Sequence, residues 1–294
     1  MSSFVATEAI LAALDTNRVL VALETSVLAQ GLPEPWNRRA ADAMERVVRE
    51  EGAEPAWIWT EGGAIRIGAT AQDLDRLMSG GAVKVARRDL PMAVAAGRLG
   101  ATTVSATLWV AHRYPIEVAA TGGIGGIHPG TGDVSADLLE LARTPGTLVC
   151  SGPKSILDPA ATLERLEELG VGVLGFGTDR LPFFIVQSAE LPLEHRADDV
   201  KEVSAMVAAR RDLGIESTLL VCNPCPRDVS LPADRVADAV RRCSERAGGV
   251  AGKAVTPHLL ACLAEETGGD SLRANLGLLE SNAALAARIA VAVV

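Results

Sequence analysis

The amino-acid sequence predicts an α/β fold in which a central sheet lies between two layers of helices. Short apolar runs alternate along the chain with longer amphipathic segments, which is typical of strands that alternate with helices. The apolar runs are continuous and are not interrupted by polar residues at every second position. Strands of this kind are buried on both faces. The two observations together predict a three-layer α/β/α sandwich.

Length and composition predict a single domain over residues 1–294. A chain of 294 residues can bury roughly 73% of its unfolded surface, which is enough for a stable core without disulfides or structural metals. The sequence has no internal repeat, low-complexity tract or linker-like stretch. Aromatic residues make up only 3% of the chain, whereas 48% is hydrophobic, so we expect a core of small aliphatic side chains.

Seven strands are predicted from the apolar runs. They lie at Val19–Leu23, Ala56–Thr60, Val83–Val85, Glu117–Ala120, Thr147–Cys150, Gly172–Gly175 and Thr218–Cys222. Apolar residues recur at helical spacing from Ala40 to Glu51 and stop at Gly52. Thr256 and Pro257 begin a later helix, which ends at a pair of glycines. In such sheets ligands bind in the loops that follow the carboxyl ends of the strands.

Charge and hydropathy exclude two classes of partner. The net charge is −9 and basic residues do not cluster with aromatic ones, so we expect no nucleic-acid polymer as a partner. No run of 18 uncharged apolar residues occurs, so we expect no transmembrane helix and no membrane partner. The amino terminus lacks the basic start of a signal peptide. Five irregularly spaced cysteines then indicate reduced thiols in the cytoplasm.

A glycine-rich loop follows the strand that ends at Ala120. Residues 121–137 read TGGIGGIHPGTGDVSAD, which fits no G-x-G-x-x-G dinucleotide frame. Glycines let backbone N–H groups approach an anion, and a helix predicted near Val134 points its positive end the same way. We therefore favour an anion site over a plain turn. Asp133 offers a carboxylate to a hard cation such as Mg²⁺ or Mn²⁺, but aspartate also caps helices.

Lys154 is the strongest candidate for a nucleophile. It lies in the segment SGPKSILD, directly after a buried strand. Burial and a facing helix end both favour the neutral amine, which can form a Schiff base with an aldose carbon. A P-loop is rejected, because that motif requires glycine directly before the lysine and Pro153 stands there.

Further charged residues lie at the ends of two other predicted strands. Glu24 ends a buried strand, where a carboxyl group is protonated or paired, which suits a general acid. The alternative for Glu24 is a salt-bridged strand end. Lys84 lies within a strand pattern and is followed by Arg87, Arg88 and Asp89. That local pattern fits a binding site and a solvated basic turn equally well.

Three further features are interpreted as structural. Cys222 and Cys225 have CxxC spacing, but no second CxxC or histidine pair completes a zinc site. Gly269 and Asp270 match part of the catalytic loop of ribokinase-like sugar kinases, but the residues before them do not, so a junction between two helices is favoured. Three histidines have no partner nearby in sequence and are interpreted as packing or surface residues; they are His112, His195 and His258.

Nine segments, in order, carry a resemblance that covers the chain from about Val19 to the carboxyl terminus. They are VALETSVLAQGLPEPWN, KVARRDLP, GATTVSAT, ATGGIGGIHPG, DVSADLLELA, VCSGPKSILD, CNPCP, GKAVTPHLL and TGGDSLRANLGLLESNAAL. ATGGIGG, SAD and KSILD are specific in combination. On these segments the chain resembles the pseudouridine-5′-phosphate glycosidase family, also called indigoidine synthase A-like. The resemblance implies an α/β/α sandwich around a mixed sheet, a homotrimer, and one divalent metal per subunit, Mn²⁺ with Mg²⁺ as the alternative.

The resemblance also implies a reaction and its residues. The family cleaves pseudouridine 5′-phosphate reversibly, with water, to uracil and ribose 5-phosphate in pseudouridine catabolism. By motif, Glu24 matches the proton donor, Lys154 the nucleophile on ribose C1′, and Asp133 the metal ligand. Matches to substrate-binding positions are Lys84, Val104, Ser135, Ala136 and Asp137, with Thr121 and His128 near the phosphate and Asn282 on the same pocket.

The bond to be cut explains why a lysine is expected beside a single carboxyl group. It is a carbon–carbon bond, so protonating a leaving oxygen, as glycosidases with two carboxylates do, does not help. The sugar ring has to open, and C1′ needs a covalent handle. A neutral Lys154 supplies that handle and Glu24 protonates the ring oxygen, while uracil accepts electrons and a proton as it leaves.

The chain departs from the family pattern around this core, and the departures leave alternatives. Members of the family carry a histidine near Gln30 and a glutamine near Trp36, and their loop between the positions of His128 and Asp133 is longer. The shorter loop and Trp36 favour, as the first alternative, a C-glycosynthase that joins ribose 5-phosphate to another aromatic aglycone in a natural-product pathway. Less favoured alternatives are a sugar kinase and a non-catalytic sugar-phosphate binder with an unreactive Lys154.

Overall fold

One sheet of eleven strands lies at the centre of the protein, and the computed structural model describes residues 4–130, 132–246 and 255–294. The strands are β1 Phe4–Ala6, β2 Leu20–Glu24, β3 Glu54–Glu61, β4 Ala64–Ile67, β5 Val83–Val85, β6 Gly100–Thr102, β7 Val118–Ala120, β8 Gly146–Cys150, β9 Val173–Phe176, β10 His195–Ala197 and β11 Thr218–Cys222. The helices are α1 Glu8–Asp15, α2 Trp36–Glu50, α3 Ala71–Met78, α4 Leu90–Ala95, α5 Val104–Arg113, α6 Ala136–Arg143, α7 Pro159–Glu168, α8 Val200–Asp212, α9 Ala233–Arg246, α10 Val255–Glu266 and α11 Asp270–Ala292. A π-helical turn, Val27–Gly31, follows β2, and a 3₁₀ turn, Arg87–Asp89, follows β5.

The sheet is mixed, as expected. Its strand order is β1-β4-β3-β2-β7-β8-β11-β9-β10, and β6 and β5 extend from β3. β3 runs antiparallel to β4 and β6, whereas the other pairs are parallel. β2, β7 and β8 are parallel neighbours, so their carboxyl ends meet at the same edge of the sheet.

Alternate residues of the central strands face two separate hydrophobic cores. In β2, Val21 and Leu23 belong to the core shared with α2 and α11, whereas Leu20 and Ala22 belong to the core shared with α5. All five residues of this strand are buried. The continuous apolar runs of the sequence therefore reflect burial on both faces, and the predicted three-layer α/β/α sandwich is confirmed.

Small side chains let α11 pack closely on the sheet, where it contacts β2, β7 and β8. Its buried face consists mostly of alanine and leucine, with three buried polar residues, Ser271, Asn275 and Asn282. A buried polar side chain needs hydrogen-bond partners. At these three positions we therefore expect the helix to contact polar groups and not only apolar side chains. Within the part of the chain that the structure describes, no helix combines the length and hydropathy needed to cross a membrane.

All seven predicted strands are present, and β5 and β11 have the predicted bounds. The sequence misses β1, β4, β6 and β10, because each has only three or four residues and their apolar runs are too short to stand out. A signal for β4 does exist. Gly62 and Gly63 both have positive φ and join β3 to β4, and a glycine pair at this spacing is typical of a hairpin.

The predicted helix boundaries are met closely. The pattern from Ala40 to Glu51 covers α2 from its fifth residue to its carboxyl-terminal cap, Glu51, and Thr256 and Pro257 lie in the first turn of α10. Gly269, at φ 86°, precedes the first residue of α11, which confirms the junction between two helices. One of the nine segments that carry the resemblance, GKAVTPHLL, starts at Gly252, and its first three residues lie outside the described residues.

The expectation of five reduced cysteines is wrong for one pair. Cys243 and Cys262 form a disulfide with their Cα atoms 5.7 Å apart, because α9 and α10 pack against each other. Cys150, Cys222 and Cys225 are free and buried. The spacing of the cysteines in sequence gives no sign that these two helices bring one pair together.

We expect the disulfide to stabilise the fold through loop closure. Replacing Cys243 and Cys262 together by serine should lower the free energy of unfolding by about 3 kcal/mol, as for a loop of this size; the two cysteines are 19 residues apart. Urea unfolding followed by circular dichroism measures the change. A reducing agent should shift the parent protein to the same midpoint and leave the double variant unchanged, and equal midpoints in all four samples would contradict the expectation.

Candidate active site

A cleft lies at the carboxyl ends of β2, β5, β7 and β8, where the sequence predicts the ligand site. It has two adjoining chambers, which share Glu24, Ser26, Lys84, Lys154 and Thr256. The polar chamber is further lined by Ala86, Arg88, Thr103, Gly125, Gly126, His128, Asp133, Val134, Ser135, Asp137 and Leu157. The apolar chamber is further lined by Val27, Gln30, Gly31, Thr121, Gly122, Gly123, Phe184, Pro257, Leu260 and Asn275.

Lys154 is placed by a loop that continues the sheet beyond its last strand residues. Ile124 and Pro153 form an isolated parallel bridge between the loops after β7 and β8. The Lys154 amine donates a hydrogen bond of 2.7 Å to the Gly123 carbonyl oxygen. Gly152 has φ 75°, and a Cβ there would lie 1.9 Å from the Pro182 carbonyl oxygen, so only glycine fits.

The partner of Lys154 differs from the one that the sequence predicts. We expected the amine to face the amino end of a helix, but α7 begins only at Pro159 with Asp158 as its cap. The structure instead gives the amine a carbonyl acceptor. The side chain is half-buried and lines both chambers, so it reaches any ligand that spans the cleft.

Glu24 is buried, at 5% exposure, and is held by hydroxyl groups. Its carboxyl oxygens accept hydrogen bonds from Ser26 Oγ, at 2.7 Å, and from Thr121 Oγ1. The buried carboxyl group is therefore partnered, as the sequence predicts, but by hydroxyls. Thr121 was expected near a phosphate; its hydroxyl orients Glu24.

Asp137 fixes the glycine-rich loop. Its Oδ1 accepts from the Ser105 N–H and its Oδ2 from the Gly125 N–H, both at 3.0 Å. Ser135 caps α6 by accepting from the Asp137 N–H. A Cβ at Gly125 would lie 2.2 Å from Ser135 Oγ, so the loop approaches the cap closely because this residue is glycine.

His128 lies in the same electrostatic field as the two lysines. Burial lowers the pKa of His128, and the positive charges of Lys84 and Lys154 lower it further, against an opposing effect from Asp133. The imidazole is therefore neutral at neutral pH. Its Nε2 lies 3.5 Å from Thr256 Oγ1 on α10.

The shortened loop keeps its two functional candidates together. The His128 N–H donates to the Asp133 carbonyl oxygen at 3.0 Å, and Ile127 bridges Val134 in antiparallel fashion. His128 and Asp133 both line the polar chamber. The loop between His128 and Asp133 thus keeps both residues on the wall of the cleft.

The basic segment after β5 divides into two roles. Arg87 donates to both oxygens of Glu140, each at 3.0 Å, and Glu140 is fully buried. Arg88 instead lines the polar chamber, as does Lys84. Lys84 and Arg88 therefore line the cleft, whereas Arg87 forms a salt bridge with a buried carboxylate and is not part of a solvated basic turn.

Three predicted site residues do not contribute side chains to the cleft wall. Val104 is 2% exposed and packs in the core below α5. Ala136 lies between the lining residues Ser135 and Asp137 but is not itself among the described lining residues. Asn282 is fully buried.

Asn282 ties the loops together from beneath the cleft. Its amide nitrogen donates to the carbonyl oxygens of Thr121 and Gly122, at 2.9 and 3.3 Å, and to Ser151 Oγ at 3.1 Å. Its Oδ1 accepts from the Asn223 amide at 3.0 Å. One residue of α11 therefore joins the loops after β7, β8 and β11.

The polar chamber fits a hard cation that takes one ligand from the protein, the carboxylate of Asp133, and its other ligands from water and substrate. Among the described residues, no group of three or more His, Cys, Asp or Glu side chains is arranged to hold a metal. Asp133 is an exposed carboxylate on the wall of the polar chamber. Mg²⁺ and similar ions are often held by one or two carboxylates, with water and substrate phosphate as the other ligands, so Asp133 suits this kind of site.

Sequence reasoning missed the polar lining of the apolar chamber. Gln30 Oε1 and Asn275 Oδ1 are buried acceptors without a hydrogen-bond partner among the residues described, and both residues line this chamber. For Asn275 a signal exists, since it is a polar residue on the buried face of an apolar helix. Trp36, expected to affect the aglycone, stacks with Arg39 and is not among the described lining residues.

The features interpreted as structural lie away from the cleft. Asp270 is paired with Arg235 and Arg273, so it serves the helix junction. Cys222 and Cys225 are buried free thiols, and burial raises the pKa of Cys225 to about 12. The three remaining histidines, His112, His195 and His258, are exposed.

A family model described as "Indigoidine synthase A like protein" matches residues 9–292. The chain belongs to the indigoidine synthase A-like family. It is 50% identical over 293 residues to the pseudouridine-5′-phosphate glycosidase of Gemmatimonas aurantiaca, covering 98% of this chain and 96% of the relative. It is 42% identical over 285 residues to the enzyme of that name from Escherichia coli, covering 95% and 91%.

Two solved structures of this family share the fold. An indigoidine synthase A-like protein from Thermotoga maritima superposes with a TM-score of 0.92 at 38% identity, covering 99% of this chain and 96% of that one. The prealnumycin C-glycosynthase AlnA, in complex with ribulose 5-phosphate, superposes with a TM-score of 0.88 at 35% identity, with the same coverages.

Removing the Asn282 amide should loosen the loops that carry the cleft. Asn282→Ala removes the side-chain donor to the buried Thr121 carbonyl oxygen and an acceptor of the Asn223 amide, at roughly 1–3 kcal/mol for each such group, so the free energy of unfolding should fall by about 2 kcal/mol or more. Denaturant unfolding measures this loss. Ser204→Ala, which removes an exposed hydrogen bond to the Ala292 carbonyl, is the control and should change little; equal stability of both variants would contradict the role of Asn282.

Proposed function

We propose that this protein catalyses the reversible cleavage of the carbon–carbon glycosidic bond of pseudouridine 5′-phosphate, giving uracil and ribose 5-phosphate. The observation that carries the proposal is the placement of Glu24 and Lys154 on the wall shared by the polar chamber and the apolar chamber. A sugar phosphate suits the first chamber and a flat base the second. The curated relatives carry the name of this activity.

The two residues supply the chemistry in order. Glu24 protonates the ring oxygen as the C1′–O bond breaks, and the base stabilises the opened sugar. The unprotonated form of the Lys154 amine then bonds to C1′ and passes a proton to the Glu24 carboxylate. Glu24 gives this proton to uracil C5; the electrons of the carbon–carbon bond return to the uracil ring, and the nitrogen lone pair forms a C=N bond to C1′. Water hydrolyses this Schiff base to ribose 5-phosphate and the free lysine.

The remaining residues of the polar chamber are proposed to bind the ribose phosphate. Lys84 and Arg88 offer positive charge, and neutral His128 offers a hydrogen bond. Ser135 and the main chain at Val104 and Ala136 complete the expected contacts. Asp137 is proposed to act indirectly, since its oxygens already hold the backbone of the chamber wall.

We propose that Asp133 holds one divalent cation, Mn²⁺ or Mg²⁺. When bound, such an ion neutralises negative charge on the phosphate. The support is the carboxylate on the wall of the polar chamber and the family resemblance. No step of the reaction above requires the ion to touch the reacting atoms.

Uracil release should depend on the cation. Incubation with pseudouridine 5′-phosphate and Mn²⁺ should release uracil, quantified by chromatography, and a chelator should slow the release because phosphate binding weakens. Asp133→Asn should show the same slow rate with or without chelator. Uracil release that the chelator leaves unaltered would contradict the metal proposal, and no release at all would contradict the glycosidase.

Lys154→Ala should abolish turnover while leaving the fold intact, because no other group is proposed to bond to C1′. Borohydride added with ribose 5-phosphate should reduce the Schiff base and add the sugar mass to the parent protein, but not to this variant, as read by mass spectrometry. Lys201→Ala, which changes an exposed lysine on α8, is the control and should behave like the parent. Normal turnover by Lys154→Ala would overturn the covalent mechanism.

A second candidate function uses the same chemistry in the synthetic direction. The structural relative AlnA is named as a C-glycosynthase, so this scaffold accepts that use. The candidate predicts a C-ribosylated product from ribose 5-phosphate and an aromatic acceptor other than uracil. A panel of acceptors that yields product with uracil alone would remove it.

We further propose a homotrimer in the cytoplasm. The support for both is the family resemblance, since the cysteine argument for the compartment no longer holds for Cys243 and Cys262. Light scattering coupled to size-exclusion chromatography tests the assembly.

A further inference from the structure

We infer that Gln30 determines base specificity by accepting a hydrogen bond from an N–H group of the aglycone. This inference rests on the proposed function and adds a residue that the catalytic chemistry does not need. It concerns a residue on the wall of the apolar chamber.

The orientation of the Gln30 amide is fixed by the sheet. Its Nε2 donates a hydrogen bond of 2.9 Å to the Ala82 carbonyl oxygen, directly before β5, the strand that carries Lys84. Because Nε2 donates to this carbonyl oxygen, Oε1 of the same amide points away from Ala82. Gln30 also lies on the π-helical turn after Glu24, and such turns are frequent at functional sites.

The free oxygen is the unusual feature. Gln30 Oε1 is buried and has no hydrogen-bond partner in the part of the chain described. A buried acceptor left without a donor is unfavourable. Val27, Phe184 and Leu260 line the same chamber and offer no side-chain donor. The lining side chains that do carry donors make no hydrogen bond to this oxygen; they include Ser26, Lys84, Thr121, Lys154 and Thr256. A ligand that brings an N–H group into the chamber satisfies the acceptor, and a ligand without one leaves it unsatisfied.

The chemistry of the base fits this acceptor. In pseudouridine the uracil is joined through C5, so both N1–H and N3–H are free, whereas an N-linked uridine keeps only N3–H. A second unpartnered oxygen, Asn275 Oδ1, lines the same chamber. The apolar chamber therefore selects for a base with N–H groups on its edge, and the class of ligand is a planar cyclic imide or amide.

The test compares substrates that differ in one N–H. The kcat/KM of the parent is measured with pseudouridine 5′-phosphate and with its N1-methyl and N3-methyl derivatives, and again for Gln30→Leu. We expect Gln30→Leu to lower kcat/KM for pseudouridine 5′-phosphate on the order of tenfold, the size of one lost hydrogen bond to a buried group. For the derivative methylated at the nitrogen that Gln30 contacts, the substitution should have no such effect.

The control variant is Gln187→Leu. Gln187 is a half-buried glutamine whose amide also donates to a backbone carbonyl, that of Cys225, but it is not among the described residues that line the cleft. It should leave the ranking of the three substrates unchanged. An equal loss on all three substrates for Gln30→Leu, or no loss on any, would overturn the inference in favour of a purely structural role.

A binding measurement separates this inference from the proposed reaction. Calorimetry with uracil, 1-methyluracil and 3-methyluracil, in the presence of ribose 5-phosphate, is carried out on the parent and on Gln30→Leu. If uracil binds and the affinity depends on Gln30 and on one N–H, the inference stands even where no turnover is seen. If uracil binds equally well to both proteins, or to neither, the inference fails whatever the turnover.

Discussion

The hydrogen bonds of Asn282 are the interaction on which the active site depends. The residue is fully buried on α11, and its amide reaches the loops after β7, β8 and β11. Without it, the buried Thr121 carbonyl oxygen would lose its Asn282 donor, and the Gly122 carbonyl oxygen would keep only the Ser151 N–H. Thr121 bonds Glu24, and Gly123, next to Gly122, accepts from Lys154, so this one amide supports the loop that holds both proposed reacting groups.

A second constraint comes from steric fit around the loops. Gly152 and Gly125 are needed because a side chain at either would collide with backbone or with Ser135. Gly152 therefore lets the loop after β8 pass close to Pro182, and Gly125 lets the glycine-rich loop approach the cap of α6. The bridge between Ile124 and Pro153 continues the pairing of β7 with β8. The reacting groups are thus held by extensions of the sheet, and positioning of this kind is worth more to catalysis than any added contact on a flexible loop.

The sequence predicted the layers and placed the proposed catalytic pair at strand ends because both leave local signals. Continuous apolar runs predict buried strands, and Lys154 and Glu24 stand at the ends of such runs. It did not predict that Asn282 lies beneath the cleft and bonds its loops, because the role of a buried amide depends on carbonyl groups more than a hundred residues away in sequence. It also missed the Cys243–Cys262 pair and the oxygen of Gln30, because both result from packing between elements.

The two walls of the cleft belong to different parts of the architecture. The reacting groups lie on strand ends and their loops, whereas Gln30, Val27, Pro257 and Leu260 lie on the π-helical turn and on α10, outside the hydrogen-bonded sheet. Substitutions in those two helical segments can reshape the space for the base without disturbing the bond-breaking machinery. This separation gives a physical route by which one scaffold diversifies toward new aglycones and retains its sugar chemistry.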